Sequence, residues 1–343
     1  MRIIDLGAQS GKCRIVLGES VENIADYCDS KNPVAITDAH VLKNYGNALK
    51  NCEIIEIGIG EGAKTLETIE SIYSRFLALE LDRSSVVVGV GCGIVCDVAG
   101  FAAATYLRGL RFGTVPTTLL AQVDASIGGK NGVNFNGYKN LIGTIRQPEF
   151  CICDFDVLRT LPQSEIRSGL AEIIKHAVIG DKTLFAYLED NAHAALSLHR
   201  TVIEKIIHDS LAVKIAIVKK DEFEKYERMK LNFGHTIGHA IEKLTKVTHG
   251  EAVAIGMVAA TNLSVANGIM RKEECEKLKS LLSSAGLPIT MNSKDHEAII
   301  DAITKDKKRK SKVIRMVLPE SIGKVRIEEI DIEKLKGVIS DMC

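Results

Sequence analysis

The strongest constraint on the fold is a change of hydrophobic period partway along the chain. Up to about residue 155, short β-branched runs alternate with helical segments. Arg14–Leu17, Val34–Thr37, Glu53–Ile57, Ser85–Gly89, Arg111–Val115 and Phe150–Asp154 read as strands, with helices over Leu66–Leu81 and Val98–Leu107. Such alternation predicts a parallel sheet wrapped by helices, a Rossmann-like α/β unit. After Leu161-Pro162 the period becomes 3.6 residues, through Glu165–Ile179, Thr201–Lys219, Gly234–Leu244, Ala252–Asn267 and Lys272–Ala285. Strand signals nearly vanish there. The expected organisation is an α/β domain over residues 1–155 followed by a mainly α-helical domain over 156–343.

The length of 343 residues lets each domain bury its own core. Lys and Arg together number 44, as do Asp and Glu, so no global field favours nucleic acid or an anionic membrane. No apolar run approaches the ~20 residues of a spanning helix. The first residues, Met1-Arg-Ile-Ile-Asp-Leu-Gly7, lack the apolar core of a secretion signal. Nine cysteines without repeat-like spacing suit a reducing compartment, so the cytoplasm is expected.

In the first half, Ser85-Val-Val-Val-Gly-Val-Gly91-Cys-Gly93 leads from a buried strand through a Gly-rich turn to Asp97 on a helix. Glycines there let backbone N–H groups approach a pyrophosphate, whose charge the helix N-terminus favours. The spacing falls short of the full dinucleotide fingerprint, and a tight turn without ligand reads equally well. Glu61 offers an acid for a ribose hydroxyl, Lys64 a base for phosphate, and Thr117 and Thr118 two hydroxyls at another strand end. A second Gly-rich, cationic region, Asp124-Ala-Ser-Ile-Gly-Gly-Lys130 with Tyr138-Lys139-Asn140, suits a phosphate or carboxylate of a substrate. Cys92/Cys96 and Cys151/Cys153 read as small core residues, with a thiolate metal site as the rival.

The second half carries Leu231-Asn-Phe-Gly-His-Thr-Ile-Gly-His-Ala240, then His249-Gly-Glu251. His235 and His239 are four apart, hence on one helical face, and by spacing both suit one metal. His249 sits at a Gly-flanked turn, where a third ligand is placed naturally. Glu172, in an apolar helix, is costly to bury without a cation, and Lys175 at i+3 and His176 at i+4 share its face. One carboxylate and two or three imidazoles suit Zn²⁺ or a similar divalent ion. His40, His193, His199, His208 and His296 sit among polar residues and read as solvated. The basic run Lys305–Lys312 reads first as a solvated loop, then as a source of one phosphate-binding lysine, and last as a nucleic-acid contact.

Taken together, these segments resemble the 3-dehydroquinate synthases, cyclases within the sugar phosphate cyclase superfamily. The resemblance runs from about residue 55 to 325 and rests on long motifs: Asp97–Arg108, Pro116–Asp124, Ser126–Lys130, Gly169–Lys175 and Leu231–Ala240 with His249-Gly-Glu251. It implies that Glu172, His235 and His249 hold Zn²⁺ or Co²⁺, while His239 touches substrate. The implied NAD⁺ positions are Glu61, Lys64, Gly91, Gly93, Asp97, Thr117, Thr118 and Thr160, with Lys130 and Lys139 serving both ligands. For the substrate, 3-deoxy-D-arabino-heptulosonate 7-phosphate, the resemblance implies Lys130, Asn140, Asn232 and His239 around the phosphate. Arg108 is expected from the other subunit of a homodimer, and Lys307 or Lys308 as a further phosphate contact. Lys214 and Arg228 take the carboxylate, and Asp124, Lys139 and Lys175 line the reacting ring.

The implied chemistry explains why one chain needs both halves. NAD⁺ oxidises the C5 hydroxyl, the new ketone acidifies the C6 proton, and phosphate leaves by elimination. The hydride returns, the ring opens, and an intramolecular aldol closes the carbocycle, so NAD⁺ is recycled. Cyclases of sedoheptulose 7-phosphate or glucose 6-phosphate are the nearest rivals, but their substrates lack the carboxylate that Lys214 and Arg228 suit. A metal-dependent polyol dehydrogenase has no use for so many anion-binding residues, and a nucleotide sensor with a decayed site is disfavoured because the matched ligand positions are filled. The family's turn is usually Gly-Gly-Gly-x-x-Gly-Asp; with Cys92 and Cys96 in place of two glycines, a Cβ is expected to strain a positive φ and to bring bulk near the pyrophosphate, weakening NAD⁺ binding or making it thiol-sensitive.

Overall fold

The computed structural model of the chain describes residues 1–28, 33–291, 298–299, 301 and 313–331. It divides into two compact units, Met1–Leu161 and Pro162–Cys343. In the first unit the elements run β1 (Arg2–Ala8), β2 (Gly11–Leu17), β3 (Val34–Asp38), α1 (Ala39–Tyr45), β4 (Glu53–Ile57), α2 (Leu66–Ala78), β5 (Val86–Gly91) and α3 (Gly93–Thr105). There follow β6 (Arg111–Pro116), β7 (Lys130–Phe135), β8 (Tyr138–Ile145) and β9 (Phe150–Cys153). The main sheet has the order β1-β2-β9-β6-β5-β3-β4. Its strands pair in parallel except β1, an antiparallel edge in which Arg2 faces Leu17.

Both sheet faces are covered, so β3 and β5 are buried along their whole length rather than on alternate residues, and β5 reads as a continuous apolar run. Val34, Ile36 and Val87 pack against Ile69, Ile72 and Phe76 of α2 and Val98 and Ala102 of α3. Ala35, Val86, Val88 and Val90 point to the other face, against Val21, Ile24, Val41 and Leu49. The carboxyl ends of the neighbouring strands β5 and β6 are joined by a bond from Thr117 N–H to the Gly91 carbonyl at 2.9 Å. Open α/β sheets bind ligands at such strand ends.

β7 and β8 form a separate antiparallel hairpin, absent from the strands expected above. Its turn is Asn136-Gly137, with φ of 49° and 79°. Both residues at positive φ define the tight turn that Asn-Gly favours, so this signal was present in the sequence.

The second unit is helical: α4 (Gln163–Gly180), α5 (Lys182–Leu196), α6 (Arg200–Lys220), α7 (His235–Leu244), α8 (His249–Ala266) and α9 (Lys272–Ser284). The expectation that strands nearly vanish there needs correction, because β10 (Val313–Ser321) and β11 (Lys324–Asp331) pair antiparallel. Helix α8 is apolar around almost its whole circumference, as a helix enclosed by its neighbours must be. Thr248 and Glu251 close a capping box at its start, which sets His249 as its first residue. Among the described residues, no helix is long and apolar enough to cross a membrane.

Candidate metal centre and nucleotide-facing residues

Glu172 lies midway along α4 and is fully buried. Its Oε1 is 3.6 Å from His235 Nε2 at the start of α7 and 3.4 Å from His249 Nε2 at the start of α8. Two ligand atoms on a tetrahedral ion with arms of ~2.0–2.1 Å are separated by about 3.3–3.4 Å. The two edges from Glu172 therefore match a divalent site closely, and one ligand atom from each residue lies within 4.8 Å of the other two. The donor set, one carboxylate oxygen and two imidazole nitrogens, suits Zn²⁺ or Co²⁺.

Close helix packing produces this convergence. A Cβ on Gly250 would come within 2.3 Å of Ser168 Cα, so the first turn of α8 rests directly on the backbone of α4, one turn before Glu172. A Cβ on Gly256 would come within 1.9 Å of the Gly234 carbonyl oxygen, at the entry to α7. These contacts draw the starts of α7 and α8 together and bring the His235 and His249 rings to a centroid distance of 5.4 Å.

The surroundings of the triangle select nitrogen atoms and charge. Lys175 pairs with Glu172 inside α4, both fully buried. Burial, with the Lys175 cation adding to it, pushes the His235 imidazole down to about 3, holding it neutral as a metal ligand must be. Burial opposes charge on His249 as well, but hydrogen bonds to Glu172 and Glu242 outweigh it and raise that imidazole to about 9. A site that gathers a proton beside a buried carboxylate is one that attracts cations. Glu242 had no role in the sequence reading. Its Oε2 lies 3.4 Å from His249 Nδ1, leaving Nε2 directed at the triangle. Its position on α7, three residues after His239 and seven after His235, put it on the histidine face, and that spacing was its only signal. Glu242→Gln is expected to lower divalent-metal affinity about 10–100-fold, because a carboxylate behind a ligating imidazole fixes its orientation and basicity. Competition with a chromogenic chelator measures this, and an unchanged affinity refutes the role.

His239 and His176, the other spacing-based ligand candidates, have different neighbours. His239 is exposed, its ring 5.1 Å from that of His235, and with Glu242 and His249 it offers a second close donor group. His176 is buried, and its Nδ1 shares a 2.7 Å hydrogen bond with Ser210 of α6. The carboxylate-binding candidates Lys214 on α6 and Arg228, on a 3-10 turn before α7, are both buried. Arg228 donates from Nη1 to the Glu222 carbonyl at 2.5 Å, and Asn232 Nδ2 donates to Glu224 Oε1 at 2.8 Å. Among the described residues this unit buries three side-chain cations, Lys175, Lys214 and Arg228, against two carboxylates, Glu172 and Glu222.

In the first unit, Gly91 ends β5 and Gly93 opens α3, and a Cβ on Gly91 would lie 2.6 Å from Val95 Cγ2. Lys64, buried, pairs with Asp97 of α3. Glu61 opens a 3-10 turn after β4 and accepts from Asn134 Nδ2 at 2.7 Å. Thr117 and Thr118 are buried past the end of β6. Thr160 closes a 3-10 turn and shares a 2.9 Å hydrogen bond with Tyr45 Oη. Asp124 sits in a single π-helical turn, Ala121–Ala125. Lys130 starts β7, whereas Lys139 and Asn140 follow Tyr138 in β8, all three exposed and the last at φ 53°. Asp97 and Lys130 border one concavity, with Ser126, Gly129 and Asn131. Leu107, Arg108 and Gly109 have consecutive φ of 48°, 65° and 123°, a strained segment that leaves Arg108 exposed. Lys307 and Lys308 lie outside the described residues.

The expected strain at the cysteines is overturned. Cys92 caps α3 with φ −68° and ψ −180°, and Cys96 lies within α3; neither has a positive φ, so neither Cβ strains the backbone. Cys96, Cys151 and Cys153 are buried core side chains, with Cys151 and Cys153 sulfurs 3.9 Å apart on one face of β9.

An α/β unit with polar clusters at its strand ends, in one chain with a helical unit that gathers a Glu-His-His triangle, defines the class as a metal-dependent, nucleotide-using enzyme. Family models described as 3-dehydroquinate synthase N-terminal and C-terminal match residues 54–168 and 169–309. The 3-dehydroquinate synthase of Nostoc punctiforme is 43% identical over 343 aligned residues, 95% of this chain and 93% of that protein. That of a Synechococcus species is 42% identical over 319, 89% of this chain and 87% of that protein. The chain belongs to the 3-dehydroquinate synthase family. Among solved structures, 2-deoxy-scyllo-inosose synthase in complex with carbaglucose-6-phosphate, NAD⁺ and Co²⁺ superposes with TM-score 0.90 at 26% identity, covering all of both chains. The 2-epi-5-epi-valiolone synthase of Streptomyces hygroscopicus subsp. jinggangensis, with NAD⁺ and Zn²⁺ bound, gives 0.89 at 26%, covering 100% of this chain and 99% of that one.

Proposed function

We propose that this enzyme converts 3-deoxy-D-arabino-heptulosonate 7-phosphate to 3-dehydroquinate and phosphate, using NAD⁺ and a divalent metal, Zn²⁺ or Co²⁺. The observation that carries the reading is the Glu172–His235–His249 triangle, with edges of 3.6 and 3.4 Å, in a chain whose two halves match both family models. When bound, the metal supplies Lewis-acid polarisation and the dinucleotide a hydride acceptor that later gives the hydride back. The chain's own residues do the positioning. Glu172, His235 and His249 hold the metal, and Glu242 orients His249. Glu61, Lys64, Gly91, Gly93, Asp97, Thr117, Thr118 and Thr160 serve the dinucleotide, with Lys130 and Lys139 beside both ligands. Lys130, Asn140, Asn232 and His239 take the phosphate, and Lys214 and Arg228 the carboxylate. Asp124, Lys139 and Lys175 flank the reacting carbons. Cations at both ends of a doubly anionic substrate fix it against rotation, which supplies a large share of the rate.

Identity of 42–43% to 3-dehydroquinate synthases, against 26% to the two other cyclases, favours the heptulosonate over sugar phosphates without a carboxylate. Buried Lys214 and Arg228 support the same choice. A homodimer completes the reading, with exposed Arg108 on its strained segment reaching the neighbouring subunit. A reducing cytoplasm suits eight free cysteines among the described residues. Phosphate release from the heptulosonate phosphate should be abolished by a chelator, restored by Zn²⁺ or Co²⁺, and leave no net NADH. Release indifferent to chelation, or NADH formed mole for mole with product, defeats the assignment.

A further inference from the structure

Asn134 has three hydrogen bonds that the proposed chemistry leaves unexplained. Its Nδ2 donates to Glu61 Oε1 at 2.7 Å, and its Oδ1 accepts the backbone N–H of Asn140 at 2.8 Å. Its own backbone N–H donates to the carbonyl of Lys64 at 2.8 Å. One residue thus touches the turn that carries the dinucleotide candidates Glu61 and Lys64 and the strand that carries the substrate candidates Lys139 and Asn140.

The hairpin register shows why a side chain is needed there. Val133 faces Ile142 and Phe135 faces Tyr138, so Asn134 alone stands opposite Lys139, Asn140 and Leu141. The strand bulges at this point, and a bulge leaves ladder groups unserved. The Asn134 amide oxygen takes the place of the missing ladder carbonyl for Asn140, which the bulge holds at φ 53°. The same amide group, through its nitrogen, fixes one oxygen of Glu61. A rigid planar amide with a donor at one corner and an acceptor at the other makes these two positions interdependent.

Resting on the function proposed above, we propose that Asn134 is a positioning residue that couples the dinucleotide site to the substrate-phosphate site, setting Glu61 for the ribose and Asn140, at the bulge, for the phosphate. Ordering either ligand site then preorganises the other, so NAD⁺ and substrate bind with positive cooperativity.

The decisive variant is Asn134→Asp. A carboxylate still accepts from the Asn140 N–H, but it cannot donate to Glu61 and sets a like charge beside it. Affinity for NAD⁺, measured by calorimetry, is expected to fall roughly tenfold or more, from loss of a charge-assisted bond and added repulsion. Substrate KM at saturating NAD⁺ should change less than about threefold. Asn134→Ala removes both bonds and should weaken both ligands and abolish their cooperativity. In a Glu61→Ala background, Asn134→Asp should no longer affect NAD⁺ affinity, which a merely structural residue would not show. Equal losses of both ligands in Asn134→Asp, no loss of either, or an undiminished loss in the Glu61→Ala background each overturn the coupling. Wild-type protein that fails to bind NAD⁺ or to release phosphate defeats the proposed function itself, whereas a competent wild type with an indifferent Asn134→Asp defeats the coupling alone. Circular dichroism melts of each variant establish that the fold is retained, and a variant that unfolds counts against a purely positioning role.

Discussion

Glu172→Gln is expected to lower metal affinity by more than about 100-fold and to reduce phosphate release to the background of metal-free protein. Loss of a partner behind a ligand already costs about 10–100-fold, and a ligand itself contributes more. The substitution preserves side-chain shape, so the effect isolates charge. Lys175, fully buried beside Glu172, loses its anionic partner. Breaking one side of a buried pair costs about 3–5 kcal/mol, so the variant should also melt earlier. Metal content by atomic emission after dialysis, together with phosphate release, checks both effects. A variant that retains one tightly held ion per chain removes Glu172 from the metal site.

Gly256→Ala carries the second largest expectation, although it removes no functional group. The new methyl would meet the Gly234 carbonyl oxygen at 1.9 Å, and Gly234 has φ 80°, so the contact is backbone against side chain in a segment with little room to yield. Ordinary overpacking costs about 1–3 kcal/mol, and a backbone clash lies at or beyond the top of that range. For a unit of this size, about 3 kcal/mol corresponds to a melting-point loss of roughly 6–12 °C. Relief of the clash separates the starts of α7 and α8 and hence His235 from His249, so metal affinity should fall together with stability. Thermal melts with and without excess Zn²⁺ test the link. A variant that loses stability but binds metal like wild type breaks the connection between the glycine contact and the triangle.

The elements differ in how far local sequence specified them. Strands β2 to β6 and β9 and helices α2, α4, α6, α8 and α9 follow from runs of fixed period, because an element buried on one or two faces must repeat with the geometry of its backbone. Hairpin β7–β8 breaks that rule: Asn134, Asn136, Lys139 and Asn140 interrupt its apolar alternation, and only the Asn136-Gly137 turn marks it. β10 and β11 alternate apolar and charged residues too irregularly to stand out, and their pairing is what makes them strands. The cysteine turn failed for another reason. A positive φ was inferred from the glycines it replaces, whereas Cys92 adopts an extended cap that any residue tolerates.

Donor chemistry was readable in one dimension. An acid in an apolar helix, histidines four apart and a third beside a glycine announce a cation site, since residue type and helical face are local properties. Which donors meet was decided only in three dimensions. By spacing His235 and His239 were natural partners, yet Glu172 Oε1 lies 3.6 Å from His235 and 3.4 Å from His249, because Gly250 and Gly256 let α8 press against α4 and α7. His176, on the face of Glu172 by count, holds Ser210 of α6 through its Nδ1, a contact that sequence spacing did not indicate. The physical reason is one of range: periodicity and side-chain chemistry act within a few residues, but ligand distances of a few ångströms depend on backbone contacts between helices far apart in the chain, where a single added carbon atom is enough to separate them.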